Sequence, residues 1–131
     1  MASKKYLALA LLIMIGCSST LPDNLKTVSS RYETVVFNDG ISLSEAKIIA
    51  QNQLVKKNYA ALYDLSKPHV DEDVAEMPDY QNYWFIFFEE KQSSSIPFIF
   101  MVVIDKDTGK VKFADDYNEG NRWILEAALL H

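Results

Sequence analysis

Residues 83–89, YWFIFFE, and 98–105, FIFMVVID, decide the fold: they are two aromatic and β-branched runs of strand length, joined by the polar stretch EKQSSSIP at 90–97. A connection of that length and polarity sets the two strands side by side and antiparallel. Their near-continuous apolarity predicts that both faces of the sheet are covered for part of their length. A third strand, Lys110 to Ala114, follows the tight turn Lys106-Asp107-Thr108-Gly109, where glycine supplies a positive φ. In that turn the side chains of Asp105 or Thr108 can bond backbone N–H groups, so Asp105, Thr108 and Gly109 read as structural.

Working back toward the N-terminus, Ser42 and Glu45 form a capping box, and Leu43, Ala46, Ile49, Ala50 and Leu54 follow at spacings of three and four. These predict a helix from Ser42 to about Asn58, with Tyr59 to Tyr63 extending it or forming a second piece and Ser66-Lys67-Pro68 as its outer limit. Arg31 to Phe37, RYETVVF, reads as a short strand closed by Asn38-Asp39-Gly40. His69 to Asn82 is acidic, contains Pro78 and reads mostly as a loop, with an edge strand at most around His69-Val70. Beyond the strands, Arg122 to Leu130 predicts a short helix with Trp123, Ile124, Ala127 and Leu130 on one face. The fold class is therefore α+β: after an N-terminal signal peptide, a helix packs on an antiparallel sheet of three or four strands, with a short C-terminal helix.

The chain begins MASKKYLALALLIMIGC. Lys4 and Lys5 form a basic head, Tyr6 to Ile15 an apolar run of ten residues, and Gly16-Cys17 a small residue followed by a thiol. Ten residues of helix span ~15 Å against a hydrocarbon core of ~30 Å, too short for a permanent span. The segment resembles a bacterial lipoprotein signal, with Met14-Ile15-Gly16-Cys17 as its box and methionine where that box usually has leucine. The resemblance implies removal of 1–16 and lipidation of Cys17, so that the membrane is a partner through an N-terminal lipid. Two or more acyl chains attach stably where one binds marginally. In a Gram-negative host, Ser18 after the cysteine implies transfer to the outer membrane, facing the periplasm. Residues 17–27 then read as lipidated terminus and tether, and 28–131 as one domain.

Cys17 is the only cysteine, so the rest of the chain folds by packing alone, without disulfides. With Lys4 and Lys5 removed from the 13 basic residues, 11 face 18 acidic ones, a net charge of −7. Such a surface repels nucleic acid and anionic headgroups and suits a basic protein partner. A solvated acidic exterior that maintains solubility is the plainer reading of the same charge.

Three stretches, Ile41 to Ala50, Tyr83-Trp84-Phe85, and Val103 to Val111, are together similar to a PepSY-type domain, a helix-plus-hairpins module of secreted and membrane-attached bacterial proteins. The last stretch also resembles the end of bacterial immunity proteins described as NTF2-fold. Neither resemblance implies a catalytic residue.

The chain carries few residue patterns that point to chemistry. Asp105-x-Asp107-x-Gly109 has its glycine one position early for a calcium loop, and its twelfth position is Asp116 rather than glutamate. His69 and His131 lack neighbouring His or Cys companions, so no metal site is expected. No thiol remains once Cys17 is acylated, and no phosphate-binding glycine loop is present. No cofactor is implied. Asp71, Glu72, Asp73 and Glu76 form an acidic run that reads as a solvated loop or as a contact for a basic partner. The crowded aromatics read as core, and as a binding patch if the C-terminal helix leaves one sheet face bare. The expected function is a lipid-anchored, non-catalytic envelope protein that binds a protein partner, as an immunity or inhibitor protein does. The alternative is a housekeeping PepSY-like lipoprotein that regulates a protease or supports envelope assembly.

Overall fold

A computed structural model describes residues 23–75, 77–92 and 94–130. The stretch read as a signal peptide, Cys17 and Glu76 lie outside the described residues. In chain order the elements are α1 (Asp23–Tyr32), α2 (Leu43–Lys56), β1 (His69–Val70), α3 (Glu72–Ala75), a short 3-10 turn (Pro78–Tyr80), β2 (Tyr83–Glu89), β3 (Ile99–Asp105), β4 (Val111–Tyr117), a second 3-10 turn (Glu119–Asn121) and α4 (Arg122–Leu130). The four strands form one antiparallel sheet in the order β1-β2-β3-β4, so the chain is α+β.

β2 and β3 pair along their whole length, from Tyr83 opposite Asp105 to Glu89 opposite Ile99. Because side chains alternate along a strand, Ile86, Phe88, Phe100, Val102 and Ile104 turn to one face and pack on Ala46, Ile49, Ala50 and Leu54 of α2. Phe85, Met101, Val103 and Phe113 turn to the other, against Leu125 of α4 and Val74 of α3. Both faces are covered, which is why these strands are apolar at nearly every position.

The capping box opens α2: Glu45 N–H donates to Ser42 Oγ (3.2 Å) and Ser42 N–H to Glu45 Oε1 (3.1 Å). Asn58, at φ 63°, ends the helix in a Schellman arrangement, with Tyr59 N–H donating to Leu54 O and Asn58 N–H to Val55 O.

Five sequence expectations change. Arg31 to Phe37 is not a strand: α1 runs through Tyr32, because Leu25, Val28 and Tyr32 recur at helical spacing and pack beside α2. The helix begins at Asp23, so residues 23–27 of the stretch read as tether are helical. In the acidic stretch, β1 forms as an edge strand, but Glu72–Ala75 and Pro78–Tyr80 are helical turns. β4 runs on to Tyr117, an edge strand that tolerates Asp115 and Asp116 because one side of it meets solvent. Finally, α4 buries Leu125 with Ala128 and Leu129 beside it, leaving Trp123 68% and Leu130 83% exposed. The entry to α4 is set by Asn118, whose N–H donates to Asn121 Oδ1 (2.9 Å).

Candidate functional site

The end of α2 leads into residues 62–64, which run antiparallel to the end of β2. Asp64 N–H donates to Glu89 O (2.9 Å), and Lys91 N–H to Leu62 O (2.9 Å). Phe98 enters β3 beside them, and Asp116 arrives on β4 opposite Phe100. Together Leu62, Tyr63, Glu90, Lys91, Phe98 and Asp116 line a cleft of about 520 Å³.

The cleft joins a buried aromatic floor to two carboxylates. Tyr63 is 4% exposed, its ring tilted on Phe100 at 5.9 Å and edge-on to Tyr59 at 6.2 Å. Its hydroxyl donates to Asp116 Oδ1 at 2.5 Å. Glu90 Oε1 accepts the Phe98 N–H (2.6 Å), closing the loop between β2 and β3, while the Ser94 hydroxyl lies closer to Ile96 O (2.8 Å) than to Glu90 Oε1 (3.2 Å). Burial, followed by the hydrogen bond to Asp116 and the charges of Asp116 and Glu90, pushes the Tyr63 phenol well above its ordinary range. The Tyr59 phenol is also raised, first by Asp116 and then by Asp115. Both therefore stay neutral at physiological pH, with Tyr63 as a fixed donor to a carboxylate.

The acidic residues singled out in the sequence lie elsewhere. Asp71 Oδ1 accepts the Val74 N–H (3.2 Å) and caps α3, while Asp71 N–H donates to Phe85 O (2.8 Å). Glu72 and Asp73 are exposed, beside a shallow depression shared with Val70 and Phe87. His69 stacks on Phe87 at 5.1 Å. The depression and the cleft share no lining residue.

Asp105, Thr108 and Gly109 sit together in the β3–β4 turn. Asp105 Oδ1 accepts the N–H groups of Asp107 (2.8 Å) and Thr108 (2.9 Å), and Gly109 has φ +75°. Burial alone would raise the Asp105 carboxyl, but the Thr108 and Asp107 N–H groups outweigh it and hold the group below its ordinary value.

Compared with known proteins, the chain matches no family model, no curated protein and no solved structure. Among the described residues, no group of three or more His, Cys, Asp or Glu side chains is arranged to hold a metal ion. No helix among them is long and apolar enough to cross a membrane.

Composition shows the acidic excess but not the cleft. Tyr63 and Asp116 are 53 residues apart, and only the sheet register brings them together. A carboxylate at the end of a strand and another in a charged edge strand were the available signals.

Proposed function

We propose that this chain is a lipid-anchored, non-catalytic protein of the bacterial envelope that holds a basic protein partner, as an immunity or inhibitor protein does. The observation that carries this reading is the acidic excess of the chain, 18 carboxylates against 11 basic residues once Lys4 and Lys5 are set aside. Only two ion pairs form among the described residues, Lys67 with Asp64 and Arg122 with Glu126, both between near neighbours on the surface. Such pairs contribute little to stability, and the remaining carboxylates supply a negative field that attracts a basic surface. The N-terminal segment supports the location: Lys4-Lys5, the apolar run and Gly16-Cys17 have the order of a lipoprotein signal.

The test is capture of partners by the tagged full chain, in detergent, from extracts of its own organism at low and moderate salt. A stoichiometric basic partner whose association slows as salt rises supports the reading. An acidic partner, or binding indifferent to salt, refutes it.

Two contacts favour the PepSY-like alternative. The three segments that carry that resemblance meet in space: Trp84 Nε1–H donates to Ile41 O (2.8 Å), and the Lys106 ammonium lies 4.4 Å from the centre of the Trp84 ring. Phenotype separates the two roles. An immunity protein is dispensable unless its toxin is present, whereas a regulator of an envelope protease is needed in its absence.

A further inference from the structure

We propose that the cleft between Glu90 and Asp116 receives one arginine side chain of the partner. This deepens the basic-partner reading and rests on it. The walls are held in place before any partner arrives, because the backbone bonds from Asp64 to Glu89 and from Lys91 to Leu62 join them. Preformed walls avoid the ordering cost that weakens most docking surfaces.

Each carboxylate is held by one oxygen and open at the other. Tyr63 donates to Asp116 Oδ1, and the Phe98 N–H donates to Glu90 Oε1. No described residue donates to Asp116 Oδ2 or Glu90 Oε2, and neither side chain is ion-paired among the described residues. A carboxylate offers about four acceptor positions, so both retain capacity for a guanidinium. Arginine's planar fork of donors can bridge two such oxygens, which the point charge of lysine does less well.

The rest of the lining suits the stem of the same side chain. Leu62 is 58% exposed and Phe98 is half-buried, giving an apolar wall for the methylenes. The chain's own cation at the rim, Lys91, is exposed and acts electrostatically on Asp64.

The test uses the full chain in neutral detergent, followed by nitrogen–proton correlation spectra. The probes are an N-acetylated, C-amidated glycine-arginine-glycine peptide and its uncharged citrulline counterpart. Saturable shifts at Leu62, Tyr63, Glu90 and Phe98 with the arginine peptide alone are expected. Glu90→Gln and Asp116→Asn keep the oxygens that Phe98 and Tyr63 need, so the fold persists, and each should weaken binding roughly threefold. Equal shifts with citrulline, no shifts at all, or a response to calcium chloride without one to arginine would overturn the inference. Shifts confined to Asp71, Glu72 and Asp73 would overturn it while leaving the basic-partner reading intact.

Discussion

The ring of Phe37 occupies the space that a side chain at Gly109 would need: a Cβ built on Gly109 lies 2.5 Å from Phe37 Cδ1 and 2.8 Å from Cε1. Gly109 is also at φ +75°, a region that L residues adopt at a cost. Gly109→Ala therefore meets two penalties, about 1 kcal/mol of backbone strain and a steric term of similar or larger size. Phe37 is 39% exposed and can be truncated without opening a deep cavity. Urea unfolding should show Gly109→Ala destabilised by about 1–3 kcal/mol, with Phe37→Ala in that background recovering the steric part only. Full recovery would mean that the dihedral is not strained.

The two tryptophans should behave oppositely. Trp84 donates to Ile41 O and carries Lys106 on its ring, tying the β3–β4 turn to the start of α2. Trp84→Phe leaves that carbonyl without its donor and should cost about 1–3 kcal/mol. Trp123, 68% exposed on the outer side of α4, should tolerate phenylalanine within about 0.5 kcal/mol and account for most of the fluorescence quenched by iodide. A large loss of stability in Trp123→Phe would contradict the observed face of α4.

This helix also shows where sequence reading stops. Arg122 to Leu130, RWILEAALL, has seven apolar residues besides Arg122 and Glu126, so helical spacing admits both the Trp123–Ala127–Leu130 face and the Leu125–Ala128–Leu129 face. Only docking on Phe85 and Met101 chooses between them. α1 is hidden for a related reason: the β-branched residues Thr34, Val35 and Val36 just beyond its end favour a strand, while Leu25 and Val28 lie in or beside a stretch that begins as a polar tether. α2, β2 and β3 were legible because cap, periodicity and residue type agree there. The cleft was not, since Tyr63, Glu90 and Asp116 belong to three separate segments joined by pairing register.

Tyr63 predicts a particular alkaline limit to stability. Its phenol is raised in the folded state, so the stabilisation is fully present below the unfolded value of about 10 and is lost as pH climbs toward the folded one. Tyr59 and Tyr117 are raised as well and add to the same limb. Thermal midpoints should stay level from neutral pH to about 10 and fall beyond it. Tyr63→Phe should lower the neutral plateau, because Asp116 loses its donor, and make the alkaline decline shallower. An unchanged alkaline slope in the variant would assign the decline to other groups.

The acidic run 71–73 can be divided into a folding part and a surface part. Asp71 caps α3 through the Val74 N–H and pairs its own N–H with Phe85 O, so it belongs to the sheet edge as much as to the surface. Asp71→Ala should cost about 1 kcal/mol as the cap is lost, whereas Asp71→Asn should cost little. Glu72 and Asp73 are exposed, and Glu72→Lys with Asp73→Lys should leave stability within about 0.5 kcal/mol. Charges at the rim of an interface act mainly on the rate of encounter. If this surface steers the partner, the double reversal should slow association and flatten its salt dependence while leaving dissociation nearly unchanged. A faster dissociation instead would place Glu72 and Asp73 in the buried part of the contact.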